Sequence, residues 1–395
     1  MKIFATLAFT LLSVFAIAQS ETETLKKAKA FIEDKKYESA FVLLNKFDPE
    51  NSRPEIVLLK EEILLNYFVS SIMHQMFALT DIKKNEDILD YRGKEGSYSM
   101  HMFSADSILD RLIKKYPENC KLYKGLGDYY YNVLRKYDGN WLMEEAELLT
   151  LLQTNFQKAI DGGCADYLSY YAVGYVNSVQ EKVKEGIPYL LKSTELNKSY
   201  GASHYNLAYS YLLTEDKENA LKYAKLAIDL YTDPEYKGDA ARLAGQVYAE
   251  LNDVSNAMAY NEMAYKIDPA NFYNITALLG SYVKADHQRT GEITKALFDH
   301  GPDNPGVHNS LEEIYSANKK ENELIDFYKT QLPLNNEKTS VQAALYFFLG
   351  RLHTASDKKL AKDYFLKSRV SFEKIFESDH PVFGAINDAL KQIEE

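Results

Sequence analysis

Two stretches of this sequence share one pattern of small residues 37 positions apart: LAYSYLLTEDKENALKYAKLA at Leu207–Ala227 and AGQVYAELNDVSNAMAYNEMA at Ala244–Ala264. In both, the opening pair is followed by an alanine after 12 residues and by a second alanine after 7 more. Small residues at such spacings let two helices approach closely, and bulky neighbours pack the next pair on. The pattern predicts an all-α solenoid of stacked helix-turn-helix repeats. Such folds present surfaces and seldom carry chemistry, so a binding function is expected.

Further copies of the pattern extend in both directions. The clearest upstream copy begins at Val173-Gly174, and another at Leu126-Gly127 carries an insertion that includes Trp141, the only tryptophan. Downstream copies degrade progressively, and the last helix is expected to cap the apolar face of the stack. The predicted organisation is a signal peptide at 1–18, an N-terminal repeat-like unit at 19–54, an irregular helical pair with a long loop at 55–117, central repeats at 118–270 with an insertion at about 132–151, and degraded repeats with a C-terminal capping helix at 271–395.

The irregular pair is predicted to contain a long helix from about Glu55 to Thr80 and a second from about Met100 to Lys115. A loop of about 18 residues, over 81–99, would join them, and loops of that length are often functional. No segment of the chain shows sustained alternation with β-branched residues. We therefore predict no β-sheet.

The N-terminus predicts export. Met1-Lys2 is followed by an apolar run from Ile3 to Ile17 that ends in the small-x-small pattern Ala16-Ile17-Ala18, so cleavage near Ala18 is expected. No later segment is apolar enough to span a membrane, and a periplasmic or secreted location is predicted. The formal net charge of −11, without a stripe of basic residues among aromatics, argues against nucleic acid as a ligand.

Two cysteines occur, Cys120 and Cys164. We place them near the starts of helices in neighbouring units, where helix axes lie about 8 to 10 Å apart. That separation exceeds what a disulfide tolerates unless a loop folds inward. We therefore expect two unpaired small residues, although an exported protein would permit a bridge.

No pattern of catalytic or metal-ligating residues is found. The eight histidines lack the spacing of a zinc site, and no phosphate-binding glycine loop or nucleophile turn occurs. We predict a protein that is not an enzyme and uses no cofactor or metal.

The repeats resemble the tetratricopeptide repeat (TPR) family, in which helix pairs of about 34 residues stack into a right-handed superhelix. The residues that carry the resemblance are Tyr205-Asn206-Leu207-Ala208 with Tyr211, Ala220, Ala224 and Ala227, and Leu243-Ala244-Gly245 with Tyr248, Ala257, Ala264 and Pro269. The resemblance implies that the chain binds a partner protein or peptide on the concave face formed by the first helix of each pair. It also places Asn206 where an asparagine in some peptide-binding members holds the ligand backbone.

Helical spacing selects the residues expected on that face. The predicted binding residues are Lys124, Asp128, Tyr131, Tyr171, Tyr175, Tyr205, Asn206, Tyr209, Arg242 and Gln246. Tyrosine suits recognition because it buries area and still offers a hydroxyl, although it also fills space between repeats. For Tyr211 and Tyr248 we expect only such packing, and we expect Trp141 to pack the insertion onto its own unit.

Two hypotheses follow. The first is a non-catalytic scaffold that holds a partner protein or peptide in its groove, with the partner's identity and the oligomeric state left open. The second is a glycan-binding or glycan-processing accessory protein, because sugar rings stack on aromatic faces. We favour the scaffold, since packing already explains the tyrosines.

Overall fold

The computed structural model describes residues 20–137 and 140–394. The predicted signal peptide at 1–18 lies outside the described residues. The helices of the described residues are α1 (20–33), α2 (Tyr37–Phe47), α3 (Pro54–Tyr67), α4 (Ala105–Lys115), α5 (Cys120–Tyr137), α6 (Glu145–Asp161), α7 (Tyr167–Val179), α8 (Val183–Leu196), α9 (Gly201–Leu213), α10 (Lys217–Leu230), α11 (Pro234–Glu250), α12 (Val254–Ile267), α13 (Phe272–Lys284), α14 (Thr290–His300), α15 (Pro305–Ala317), α16 (Glu321–Leu334), α17 (Thr339–His353), α18 (Lys358–Phe372) and α19 (Pro381–Glu394). None of these helices is both long enough and apolar enough to cross a bilayer.

The chain forms two compact units, one ending at Lys198 and one beginning at Ser199, and each is considered by itself. In both units, consecutive helices pack as pairs, and the first helix of a pair also packs against the first helix of the next pair. These first helices are α3, α5 and α7 in the first unit, and α9, α11, α13, α15 and α17 in the second. The expected all-α repeat fold is therefore present.

The turn inside a pair recurs with one geometry. A residue other than glycine adopts a positive φ, which lets the chain leave the first helix and enter the second. These residues are Lys35, Glu181, Glu215, Asn252, Asp286 and Lys319. We call these the intrapair turns.

The small residues of the repeat are buried where the helices cross. Ala208, Ala220, Ala227 and Ala244 have no exposed surface. At Gly245 an added methyl group would fall 2.2 Å from Oδ1 of the buried Asn261, so the glycine allows α11 and α12 to approach closely. The packing predicted from the spacing is confirmed.

The irregular region corrects two predictions. The helix expected to reach Thr80 ends at Tyr67, and the helix expected from Met100 begins at Ala105. Between them lies an antiparallel sheet of β1 (Ser70–Ile72), β2 (Met76–Leu79) and β3 (Ser99–Met102) in the order β1-β2-β3, with a short 3₁₀ helix at Ile88–Asp90. The prediction of no sheet is wrong. β2 is apolar on both faces because Phe77, Ala78 and Leu79 are all buried, so it shows no alternation.

The insertion near Trp141 lengthens the first helix of its pair. Helix α5 continues to Tyr137, and α6 begins at Glu145. The Trp141 ring lies 4.5 Å from the ring of Tyr137, centroid to centroid, and packs against the core of the first unit. The expectation that Trp141 holds the insertion onto its own unit is confirmed.

A disulfide joins Cys120 to Cys164, which corrects the expectation of unpaired cysteines. Cys120 begins α5, but Cys164 lies in the loop after α6, where Gly163 takes a φ of +75° and turns the chain back. Their Cα atoms are 5.7 Å apart. A methyl group on Gly162 would fall 2.4 Å from the Cys120 Cβ, so this glycine leaves the space that the bridge occupies. The expected separation of about 8 to 10 Å holds between helix axes, and it does not constrain Cys164 because this residue lies in a loop.

Candidate functional site

The ten predicted binding residues fall into two groups, one in each unit. In the first unit, Lys124, Asp128 and Tyr131 lie on α5, and Tyr171 and Tyr175 lie on the adjacent α7. In the second unit, Tyr205, Asn206 and Tyr209 lie on α9, and Arg242 and Gln246 lie on the adjacent α11.

A groove runs along the first helices of the second unit. A cavity of about 380 Å³ is lined by α11, α12 and α13, with Arg242 and Gln246 on one side and Tyr273 on the other. A second cavity of about 300 Å³ lies between α13 and α15, and both cavities include Thr276 and Gly280. No atom beyond its immediate helix lies within 4 Å of a Cβ placed on Gly280. We call this continuous feature the α13 groove.

Arg242 is the central charged residue of the α13 groove. Its Nη2 donates to Oδ1 of Asp239 at 2.9 Å, and its guanidinium lies 5.6 Å from the centroid of the Tyr273 ring. Among the described residues its buried Nε has no hydrogen-bond partner. Tyr273, which the sequence analysis did not select, is 64% exposed. The groove therefore offers an unused donor beside an exposed aromatic face.

The three predicted residues of α9 differ in how available they are to a ligand. Burial and the nearby charge of Asp239 raise the pKa of Tyr205, whereas Tyr209 is exposed. The amide of Asn206 donates to the Ala202 carbonyl of its own helix at 2.9 Å. The ligand-holding role expected for Asn206 therefore competes with a bond inside α9.

In the first unit Lys124 is held between two carboxylates. Its Nζ lies 2.7 Å from Oδ2 of Asp128 and 3.0 Å from Oδ2 of Asp166, which caps the N-terminus of α7. Burial opposes the charge of Lys124, but the two carboxylates outweigh it and raise its pKa. Burial also raises the pKa of Asp128 to about 6, although Lys124 acts in the opposite direction.

A buried glutamate completes this group and was missed in the sequence. Glu61 on α3 is only 3% exposed, and among the described residues its Oε1 has no hydrogen-bond partner. Burial raises the pKa of Glu61 well above its usual value, and the charge of Asp128 raises it further, while Lys124 lowers it. A methyl group on Gly125 would fall 2.5 Å from Oε2 of Glu61, so the glycine leaves room for the carboxyl group.

These residues line a cavity of about 510 Å³ in the first unit, which we call the Glu61 pocket. Leucines from three helices form its apolar lining, and its charged lining includes Glu61, Lys124, Asp128 and Asp166. The leucines are Leu25, Leu58, Leu59, Leu65 and Leu168. The volume lies within the range of about 300 to 1,000 Å³ that is typical of small-ligand pockets.

The remaining predicted tyrosines pack against one another. Tyr131 meets Tyr171 edge to face at 6.3 Å between ring centroids, and Tyr171 stacks on Tyr175 at 6.1 Å. Tyr211 and Tyr248 each stack on a tyrosine of the second helix of their own pair, as expected for packing positions.

The buried His308 has a structural role. His308 is fully buried, with Nδ1 2.9 Å from the Tyr328 hydroxyl and Nε2 2.9 Å from the Pro302 carbonyl. Because a carbonyl only accepts, Nε2 carries the proton and Nδ1 accepts from the hydroxyl. Burial lowers the pKa of His308 to about 4, which keeps the ring neutral. In the described part of the chain no three histidine, cysteine or acidic side chains are grouped to hold a metal ion.

Fold and clefts together define an all-α repeat protein with a groove in one unit and an acidic pocket in the other. No protein-family model and no curated protein matches the sequence. Solved structures with similar helix arrangements include the TPR protein YrrB, described as having an unusual peptide-binding site (14% identity, TM-score 0.37, covering 47% of this chain and 95% of that one). Others are a tetratricopeptide repeat protein from Parabacteroides merdae (16%, 0.41, 69% and 99%) and PilF of Pseudomonas aeruginosa (11%, 0.42, 56% and 96%). At these identities and TM-scores, function is inferred from the residues of this chain alone.

Proposed function

We propose that this protein is an exported, non-catalytic scaffold that binds a partner protein or an extended peptide along the first helices of its repeats. The predicted residues of each unit are its expected contacts, with Arg242 and Gln246 lining the α13 groove and Tyr209 exposed on the adjacent α9. The observation that carries the proposal is the α13 groove itself, which continues along α11, α13 and α15 and is open at Gly280.

The chemistry of the α13 groove suits a peptide. An extended backbone presents carbonyl acceptors, and the Nε of Arg242 is a buried donor that gains a partner when one binds. The exposed ring of Tyr273 supplies a rigid aromatic contact of the kind that often dominates binding energy. A ligand in this groove would therefore gain both a hydrogen bond and apolar burial.

The disulfide supports export. Disulfides form and persist in oxidising compartments and are rare in reducing ones. The bridge between Cys120 and Cys164 thus agrees with the apolar run at the N-terminus, although that run lies outside the described residues. The glycan alternative gains no comparable support, because Tyr171 and Tyr175 already stack on each other.

Filling the groove tests the proposal without disturbing the fold. Peptides are selected from a displayed library on the purified chain, and their affinities are measured for the wild type, Gly280→Leu and Gly384→Leu. Both glycines lie in helices with open space at Cβ, so each replacement should stabilise its helix by up to about 1 kcal/mol. We expect Gly280→Leu to weaken binding by about tenfold or more, which is about 1.4 kcal/mol, and Gly384→Leu to leave it unchanged. Equal affinities for all three proteins would remove the α13 groove from consideration.

The native partner is identified separately. A photo-reactive amino acid replaces the exposed Tyr273 at the α13 groove, and a control replaces Leu226, which is 37% exposed on α10. Cross-linking in the native cell envelope should capture the partner at position 273 and not at position 226. Capture at 226 alone would contradict binding along the first helices.

A further inference from the structure

We propose that the Glu61 pocket of the first unit binds an alkyl ammonium group, such as the side chain of a lysine presented by a partner. The inference deepens the proposed function, because Lys124 and Asp128 belong to the predicted binding residues. It depends on different residues and a different unit from the α13 groove, so the two can fail separately.

The charges around Lys124 are not balanced. Three carboxyl groups surround its single ammonium: Asp128 and Asp166 at contact distance, and Glu61, whose carboxyl lies against Gly125, one turn before Asp128 on α5. Lys124 is already shared between two of them. Around Lys124, the carboxylates of Asp128 and Asp166 exceed its single positive charge, and Glu61 adds a third negative charge when it loses its proton. A cation is the ligand that would compensate this excess.

The pocket also contains acceptors that lack hydrogen-bond donors. Within the described residues, Oε1 of Glu61 and Oδ1 of Asp128 are both buried oxygens without a donor. Burying an acceptor without a partner is unfavourable, so a ligand that donates to both oxygens would recover that loss. An ammonium group carries three donors and can reach more than one acceptor. A carboxylate ligand would instead add acceptors and negative charge beside Asp128 and Asp166.

Much of the pocket lining is apolar. Five leucines line the pocket together with the carboxyl groups, and a bare metal ion would gain nothing from them. A lysine side chain lays its methylene stem along apolar surface while its charged end reaches a polar group. The pocket thus matches an alkyl chain that ends in an ammonium group.

Binding of this ligand should depend on pH through Glu61. The charged groups that face the pocket are Lys29 of α1, Glu55 and Glu62 of α3, Lys121, Lys124 and Asp128 of α5, and Asp166 at the start of α7. Because burial raises the pKa of Glu61 well above its usual value, an incoming ammonium competes with a proton for this carboxyl group. Affinity should therefore rise about tenfold per pH unit until the pKa of Glu61 in the free protein is reached.

The test uses calorimetric titration of the full chain with two amines. Nα-acetyl-lysine methylamide represents a partner lysine, and 1,5-diaminopentane represents a free diamine. We expect a dissociation constant of about 1 mM or lower for the preferred amine, with protons released to the buffer. Preference for the lysine derivative identifies a protein ligand, and preference for the diamine a small metabolite.

Two variants decide the assignment. Glu61→Gln keeps the shape of the side chain and should lower affinity at least tenfold and abolish proton release, whereas the exposed Glu185→Gln should do neither. Circular dichroism of Glu61→Gln confirms folding, and Asp128→Asn is a second variant expected to weaken binding. No binding of either amine at about 10 mM, unchanged affinity in Glu61→Gln, or displacement of the amine by Mg²⁺ or Ca²⁺ would overturn the proposal. These outcomes leave the α13 groove untouched, and loss of peptide binding in Gly280→Leu leaves the Glu61 pocket untouched.

Discussion

Removing the disulfide should selectively destabilise the α5–α6 pair. Cys120 and Cys164 are separated by 44 positions, and the loop that they close contains both helices. Loop-closure entropy for that length gives about 4 kcal/mol of stabilisation. With a denaturant dependence of about 2 kcal/mol per molar urea, the double replacement Cys120→Ser/Cys164→Ser should lower the unfolding midpoint by about 2 M.

The chain contains its own local probe for this experiment. Trp141, the only tryptophan, lies inside the closed loop and packs on Tyr137, so its fluorescence reports the unfolding of this helix pair. Far-ultraviolet circular dichroism reports all helices of the chain. We expect the fluorescence transition to move to lower urea in the variant, and likewise in the wild type treated with dithiothreitol. Dithiothreitol should have no effect on the variant. A fluorescence midpoint that does not move would refute the assignment of stabilisation to the bridge.

Two further predictions concern the second unit. Burial lowers the pKa of His308 from 6.5 to about 4. The neutral ring therefore contributes fully to the free energy of unfolding above pH 6.5, and this contribution of about 3 kcal/mol is lost as the pH falls towards 4. Urea titrations across this range should show a correspondingly smaller pH slope for His308→Gln, and an identical slope would contradict the neutral buried ring. Gly245→Ala should destabilise by about 1 to 3 kcal/mol because its methyl group meets Asn261, whereas Gly280→Ala should stabilise by up to about 1 kcal/mol. Thermal melts compare the two, and a stabilised Gly245→Ala would refute the close helix approach.

The repeat was predictable because its pattern is local. Ala208 and Ala244 are small, recur at fixed spacing and are buried in the structure. The sheet was not predictable by the same means. Its hairpin turns through Met73 and His74, both with positive φ, although such turns usually carry glycine or asparagine. Because this turn lacks glycine and asparagine and β2 is apolar throughout, the hairpin looks in the sequence like a continuation of α3.

The candidate sites were predictable only in part. Helical spacing identified Arg242 because its repeat is regular, but Tyr273 lies on the next repeat, where the pattern is degraded. Glu61 lies in a mostly buried helix and was not among the predicted binding residues. An acidic residue within an apolar stretch of helix is the signal that would have marked it as a site candidate. Its contact with Gly125 depends on tertiary packing and has no local signature.

The position of the two insertions has a consequence for how such a chain changes in evolution. Both the sheet and the segment around Trp141 replace an intrapair turn, between α3 and α4 and between α5 and α6. The first helices α3, α5 and α7 still pack on one another across both replacements. Extra sequence at these turns is therefore tolerated without loss of register, and the intrapair turns at Glu215 and Asp286 are suitable places to graft an epitope or a reporter domain.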